Sequence, residues 1–349
     1  MYLKKIKIQN FRNYKDEEIL LDKNINIFFG DNAQGKTNIL EAIYLSAFGK
    51  SFRTTKEKEM VKKEEEFSII ETEYQKKDRE GKVNIKIADK KYIELNEIKI
   101  KKLSELVGNI NVVIFTPDDI NILKNGPSER RKFLDIMISQ LRPNYIYNLN
   151  MYLKTLEQRN DYLKAHRINE EMLDIWDEKL ADFGEVIYKY RNEFLNKIKE
   201  KIQNIHSQIT NETISIIYES ECSNKEEYLK KLKNKRKIDK IKGFTTVGIH
   251  RDDFKVLINN EPINVYGSQG QNRTAVLSLK LSELQVIYDD IGEYPILLLD
   301  DFMSELDEKR ISNFLQSINQ IQVIITCTKE INIPNSRLYY VEKGNIINK

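Results

Sequence analysis

Eight consecutive residues, Gly30-Asp31-Asn32-Ala33-Gln34-Gly35-Lys36-Thr37, fit the spacing GxxxxGK[ST] without a gap. That spacing suits phosphate. Its glycines let the backbone wrap an anion with inward N–H groups, and the start of a following helix adds partial positive charge at the same point. Lys36 is expected to reach the β- and γ-phosphates of a nucleotide, and Thr37 to offer its hydroxyl to Mg²⁺. A Mg²⁺ site needs a second ligand, and the apolar run Ile296-Leu297-Leu298-Leu299 ends in Asp300-Asp301. A buried strand there would deliver Asp300 at its carboxyl end, where open α/β sheets bind ligands. Asp301 would then orient or activate the attacking water. The candidate catalytic residues are therefore Lys36 and Asp301, and the candidate metal ligands Thr37 and Asp300. The plainer alternatives are a glycine turn with a surface lysine and a strand followed by an acidic turn.

These groups need elements to hold them. NINIFFG is β-rich before the loop, and Ile39, Ala42, Ile43 and Ala47 recur at helical spacing after it. FSIIETEY, KVNIKIAD and KKYIELNEIKI, between Phe67 and about Ile100, predict a small antiparallel sheet, and NINVVIFTPDD adds an apolar strand stopped at Pro117. Residues 144–242 hold no proline and one glycine, Gly184, which predicts long helices, either a projecting hairpin or several shorter bundled ones. β character returns after Gly243, NRTAVLSLKLSELQVIYDDI reads as a helix, and EYPILLLDD, IQVIITCT, RLYYVEK and NIIN read as strands. The expected organisation is α/β: residues 1–125 with the loop and the antiparallel sheet, a helical lobe at 126–242, and a return to the core at 243–349.

Composition narrows the class. The 349 residues are 40% apolar and 32% charged, enough for a sizeable core, and contain no apolar run of membrane-spanning length. The alternating start MYLKKIKIQNFRNY is unlike a signal peptide, so a cytoplasmic protein without a membrane partner is expected. Cys222 and Cys327 are too far apart in sequence for a metal pair, and His166, His206 and His250 are too scattered for zinc. Net charge is only +3, but the 13-residue stretch Lys230–Lys242 carries eight basic residues against Asp239. That stretch and Arg130-Arg131-Lys132 are candidate contacts to a DNA backbone, with a solvated basic face and a helix-start salt bridge as the alternatives. No aromatic stacking motif stands out, which favours duplex over single-strand contact.

The spacing of Lys36 and Asp300, 264 positions apart, exceeds what a small kinase or GTPase needs. Just ahead of the second site, Gly267-Ser268-Gln269-Gly270-Gln271 resembles the LSGGQ signature of ABC-type ATPases, and Ser304-Glu305-Leu306-Asp307 resembles their D-loop. NFRNY at 10–14, GDNAQGKT, SFRT at 51–54, GIHRDDF at 248–254, GSQGQNR and LLLDDFMSELD together resemble the RecF family of recombination mediators, relatives of the SMC ATPases, from the first strand to about Thr328. The resemblance implies an ABC-type P-loop ATPase head, a mixed sheet with an antiparallel β subdomain, and an inserted helical second lobe. It also implies ATP and Mg²⁺ as cofactors and an ATP-dependent homodimer in which Ser268, Gly270 and Gln271 reach the nucleotide of the other copy. Arg12 and Asn13 would lie near that nucleotide. DNA at gaps or single/double-strand junctions, RecR, RecO and RecA would be partners, and hydrolysis would be weak and DNA-stimulated. Two features depart from the family pattern: Ile249 stands where proline is common, and Thr326, Cys327 and Thr328 stand where ABC ATPases carry a switch histidine. The glutamine loop is sought around Thr116 to Asp119. A transporter motor subunit and a scaffold that binds ATP for structure alone are the competing readings.

Overall fold

The apolar run ahead of the phosphate loop is the strand Ile25–Phe29, and the loop opens directly into the helix Lys36–Phe48. The computed structural model describes residues 1–77, 79–165, 167–301, 320–331 and 333–348. The chain divides into two units, one of Met1–Asp119 with Ile287–Lys349 and one of Ile120–Val286.

In the first unit the strand order of one six-stranded sheet is Asn345–Asn348, Ser336–Glu342, Ile25–Phe29, Val323–Cys327, Ile296–Asp300, Val112–Phe115. All of its pairings are parallel except the terminal hairpin. Its inner strands Ile296–Asp300 and Val323–Cys327 are buried at every residue, which is why they read as unbroken apolar runs. A second six-stranded sheet is antiparallel, in the order Tyr14–Leu20, Tyr2–Phe11, Ser68–Lys76, Arg79–Ile87, Lys91–Leu95, Ile98–Lys99. Alternate residues of Ser68–Lys76 are buried, the period-two signature of a strand with one covered face. The helix Lys36–Phe48 packs against strands of both sheets, and Ile39 to Phe48 are all buried. It therefore has no polar stripe, and Gly49 ends it in the left-handed conformation, φ 65°, with its N–H bonded to Leu45 O.

The second unit is mainly helical. Pro127–Ser139, Pro143–Leu163, Glu170–Ser207, Lys225–Lys242 and most of Gln269–Ile291 supply the helices, and Ile214–Glu219, Asp253–Ile258 and Glu261–Pro262 form a three-stranded antiparallel sheet. Pro143–Leu163 and Glu170–Ser207 run antiparallel as a hairpin, because the Tyr162 ring packs at a tilt against Trp176 near the turn while Tyr145 accepts from Arg191 far from it. Their meeting faces are buried with Phe133, Phe194 and Tyr152 in one core. Buried arginines tie the helices together. Arg159 bonds Asp177 at 2.8 Å and Asp239 at 2.9 Å, while Arg191 bonds Asp135 at 2.9 Å and the Ile249 carbonyl at 2.7 Å.

Two sequence expectations change here. Residues 214–219 form a strand inside the stretch read as all helix; ISIIYE is β-branched and aromatic, and it pairs with Asp253–Ile258. The same pairing draws residues 243–286, which the sequence reading assigned to the core, into the second unit.

Candidate nucleotide-binding site

Parallel register builds the site. Asp300 pairs with Thr326, Thr326 with Phe28 and Cys327 with Phe29, so the carboxyl ends of three neighbouring strands converge where Gly30 begins the loop. Thr37 Oγ1 donates to Asp300 Oδ1 at 2.8 Å, and Thr326 Oγ1 donates to the same oxygen at 2.7 Å. Burial pushes the Asp300 carboxyl upward against the opposing pull of those hydroxyls. Asp301 follows at φ 47°, a left-handed conformation that aspartate tolerates, with its N–H on Thr326 Oγ1 at 3.0 Å. Thr326, in the stretch where a switch histidine was sought, thus serves both aspartates. Cys327 is buried and unpaired by disulfide, its thiol donates to Lys329 O at 3.0 Å, and burial pushes it up to about 11.

The loop is closed by its own unit. Gly30 and Gly35 hold φ 147° and 121°. A Cβ on Gly30 would lie 2.4 Å from Val341 O, and one on Gly35 would lie 2.6 Å from Asn13 Nδ2. No other residue fits those two places. Asn13 Nδ2 donates to Gln34 O at 2.7 Å, as does the Gly344 N–H at 3.1 Å, and Tyr14 donates to Gly35 O at 3.1 Å. Asp31, Asn32 and Ala33 form the exposed crest.

These residues fit a nucleotide with Mg²⁺. The helix Lys36–Phe48 starts with no side-chain cap and no acid in its first turn, so its leading N–H groups and positive dipole end are left for an anion. Lys36 is 8% exposed, its ammonium donates to Gly30 O at 2.8 Å and Asp31 O at 2.7 Å, and its third proton remains. Burial lowers its pKa, with Asp301 pulling the other way, and a phosphate would restore it. Thr37 and Asp300 offer hard oxygen donors of the kind Mg²⁺ selects.

Arg12 sits one step back, its Nε and Nη2 on the Glu41 carboxylate at 2.8 and 2.5 Å. Glu41 is fully buried and also accepts from Ser51 at 2.5 Å and from Arg53 at 3.3 Å. Arg53 further donates to Asn38 Oδ1 at 2.6 Å, and Asn38 Nδ2 to Asn13 Oδ1 at 2.8 Å. SFRT at 51–54 carries the family likeness, but the sequence alone assigns Glu41, Asn38 and Arg53 no role. A glutamate inside an apolar helix was the available signal. Around Thr116 to Asp119 there is a tight turn, with Thr116 N–H on Asp119 Oδ2 at 2.6 Å and no glutamine.

The signature segment lies in the other unit. Ser268 and Gln271 cap the helix Gln269–Ile291 reciprocally, with Gln271 N–H on Ser268 Oγ at 3.2 Å and Ser268 N–H on Gln271 Oε1 at 2.8 Å. Ser268 and Gly270 are exposed, as are the flanking Val265 and Tyr266. A Cβ on Gly270 would meet nothing within 4 Å. Ser304 to Asp307 lie outside the described residues.

The DNA candidates separate into paired and unpaired charges. Arg130 is buried and grips Asp253 through two nitrogens at 2.5 and 2.9 Å, and Arg131 donates to Asp252 O at 2.7 Å. The helix-start salt bridge therefore holds for Arg130, and only Lys132 of that cluster is exposed. In the basic helix Lys225–Lys242, Arg236 pairs with Asp174 and Asp177, Lys233 with Asp174, and Lys240 with Glu170. Lys230, Lys235, Lys237 and Lys242 are exposed and carry no salt bridge among the described residues. Among those residues no metal-holding cluster of His, Cys, Asp and Glu occurs, and no helix is long and apolar enough to cross a membrane.

Residues 2–344 match the family model of the RecF/RecN/SMC N-terminal domain. The chain is 46% identical to the DNA replication and repair protein RecF of Clostridium tetani, covering 99% of this chain and 100% of that one. A solved structure of the recombination mediator protein RecF with ATP, from the RecFOR pathway, superposes at TM-score 0.94 with 40% identity, covering 100% of this chain and 97% of that one. An SMC head bound to the C-terminal winged-helix domain of ScpA, at TM-score 0.60 and 14% identity, shares the fold and covers 100% of this chain and 98% of its own. The loop, the two aspartates and the capped signature thus stand in an ABC-type ATPase fold, and the chain belongs to the RecF family of DNA replication and repair proteins.

Proposed function

We propose that this chain is a cytoplasmic recombination mediator of the RecFOR pathway whose two copies close around ATP, each supplying half of every pocket. Gly270 carries this reading. The loop glycines are required by contacts inside their own unit, whereas a Cβ on Gly270 would meet nothing among the described residues, although the position lies in a helix, where alanine is the better helix former. Close approach of a group from outside the chain accounts for it, and the exposed Ser268 hydroxyl beside it still has its own proton to donate. The terminal phosphate of ATP on another copy is such a group.

Gly30 to Thr37 bind the phosphates, with Lys36 neutralising the terminal one. Thr37 and Asp300 would hold Mg²⁺, which would supply positive charge to offset that of the phosphates. Asp301 accepts the proton of the attacking water. Arg12 holds the loop helix through Glu41, and Asn13 holds the loop itself. Thr326 directs its hydroxyl to Asp300, so this strand end brings no imidazole to the terminal phosphate, in keeping with slow, DNA-stimulated turnover. The exposed Lys230, Lys235, Lys237 and Lys242 supply backbone contacts to duplex DNA at a gap or junction, and RecR, RecO and RecA act with the protein there. Family membership over the whole chain leaves the transporter reading without support.

Sedimentation of the full chain with ATP, ADP or neither, with and without a gapped duplex, tests this. A dimer with ATP alone is expected; a chain that stays monomeric with ATP sinks the shared pocket. Reversing charge at Lys235, Lys237 and Lys242 should flatten the salt dependence of DNA binding by roughly 0.9 per lysine on logarithmic axes. An unchanged slope removes the basic helix from the DNA site.

A further inference from the structure

The signature's glutamine has two hydrogen bonds of opposite sense, and they fix which way its amide faces. Gln271 Oε1 accepts the Ser268 N–H at 2.8 Å, while Nε2 donates to Glu212 Oε1 at 2.6 Å. The two ends of an amide are nearly equal in shape, so partners alone decide the orientation. A flipped amide would set NH₂ against the Ser268 N–H, donor against donor, and its oxygen against a carboxylate. We propose that Glu212 is a positioning residue of the shared pocket: its carboxylate holds Gln271 with the carbonyl toward Ser268, and so keeps the Ser268 hydroxyl and the Gly270 backbone set for a phosphate arriving from another copy. This rests on the shared-pocket reading.

Chain geometry supports the role. Glu212 lies just before the strand Ile214–Glu219, which the strand Asp253–Ile258 pins into the second unit's sheet, whereas Ser268 to Gly270 are exposed at the start of the helix Gln269–Ile291. Asn272 Nδ2 already holds the Gly267 and Ser268 carbonyls at 3.0 and 2.8 Å, and the Glu212 bond adds the support that fixes the Gln271 side chain. It is also charge-assisted, which makes it about twice as strong as a neutral amide pair. Ser268 Oγ accepts from the helix through the Gln271 N–H at 3.2 Å, and its own proton points elsewhere. Loss of the Glu212 support therefore leaves the Gln271 amide free to turn, with the Gly267 and Ser268 carbonyls still held by Asn272, and does not touch the phosphate loop of the first unit.

The experiment measures the ATP concentration at half-dimerisation of the full chain by sedimentation, beside the affinity of the dilute chain for a fluorescent ATP analogue. Glu212→Met keeps length and removes the acceptor; roughly a tenfold higher ATP requirement is expected, with analogue affinity unchanged. Glu212→Gln, whose carbonyl can still accept, should stay near wild type. Gln271→Glu sets two carboxylates face to face and should dimerise worst, and adding Glu212→Gln, which trades donor for acceptor across the same bond, should recover most of that loss. Wild-type behaviour of Glu212→Met, or no recovery in the double variant, overturns the role of Glu212 while ATP still dimerises the unaltered chain. Failure of the unaltered chain to dimerise overturns the shared pocket and this role with it.

Discussion

The phosphate loop and the signature segment both place glycine at the start of a helix, yet their glycines answer to different neighbours. Gly35 holds φ 121° under Asn13 and Tyr14, and the loop behind it is tied by Asn13, Gly344 and Tyr14. Gly270 is helical, exposed and surrounded by open space. The loop is a part finished by contacts within its own unit. The signature is finished only as a helix cap. On the proposed reading, the nucleotide of another copy completes it.

The same contrast can be tested by substitution. Gly35→Ala should have the largest effect, a loss of about 4 kcal/mol in unfolding free energy, from backbone strain plus overlap with Asn13. Denaturant unfolding measures it, and a near-neutral result would erase the difference between the two glycines. Lys36→Ala should lower ATP affinity about 100-fold, or ~3 kcal/mol, by removing a charge-assisted donor from a buried site. A dilute-chain titration measures it, and the fold should be unaffected. Gly270→Ala should raise chain stability by up to ~1 kcal/mol through helix propensity while ATP-driven dimerisation is lost. Stabilisation with intact dimerisation would show that nothing approaches that position. Asn13→Ala should have the smallest effect, ~1 kcal/mol of stability and a modest rise in the ATP needed, because it removes one strut of the loop and leaves Gly344 and Tyr14 in place.

Much of the candidate nucleotide site was legible because its chemistry is local. Eight contiguous residues specify the loop, the apolar run before Asp300 specifies a buried strand, and the two come together in parallel sheets by rule. The helix after the signature was equally legible. Its cap was not: Ser268 and Gln271 match the capping-box spacing, but the family likeness drew attention to the ligand and away from the helix. The basic clusters read either as DNA contacts or as a solvated face and a helix-start salt bridge, and part of their charge is paired within the chain. Arg130 belongs to Asp253, and Arg236 to Asp174 and Asp177, partners 123, 62 and 59 positions away. Linear charge density carries no record of such pairings. The strand at 214–219 was lost to the absence of proline and glycine around it, although its β-branched composition argued otherwise.

By themselves, then, the amino acids determined the loop, the aspartates, the signature and their order, since each depends on backbone geometry or on residues within a few positions of one another. Tertiary structure decided which charges are spent inside the protein, which unit owns residues 243–286, how Glu41 gathers Arg12, Ser51 and Arg53, and that Glu212 stands behind Gln271. Those are matters of distance between remote parts of the chain, and distance is created only when strands choose their neighbours and helices their buried faces.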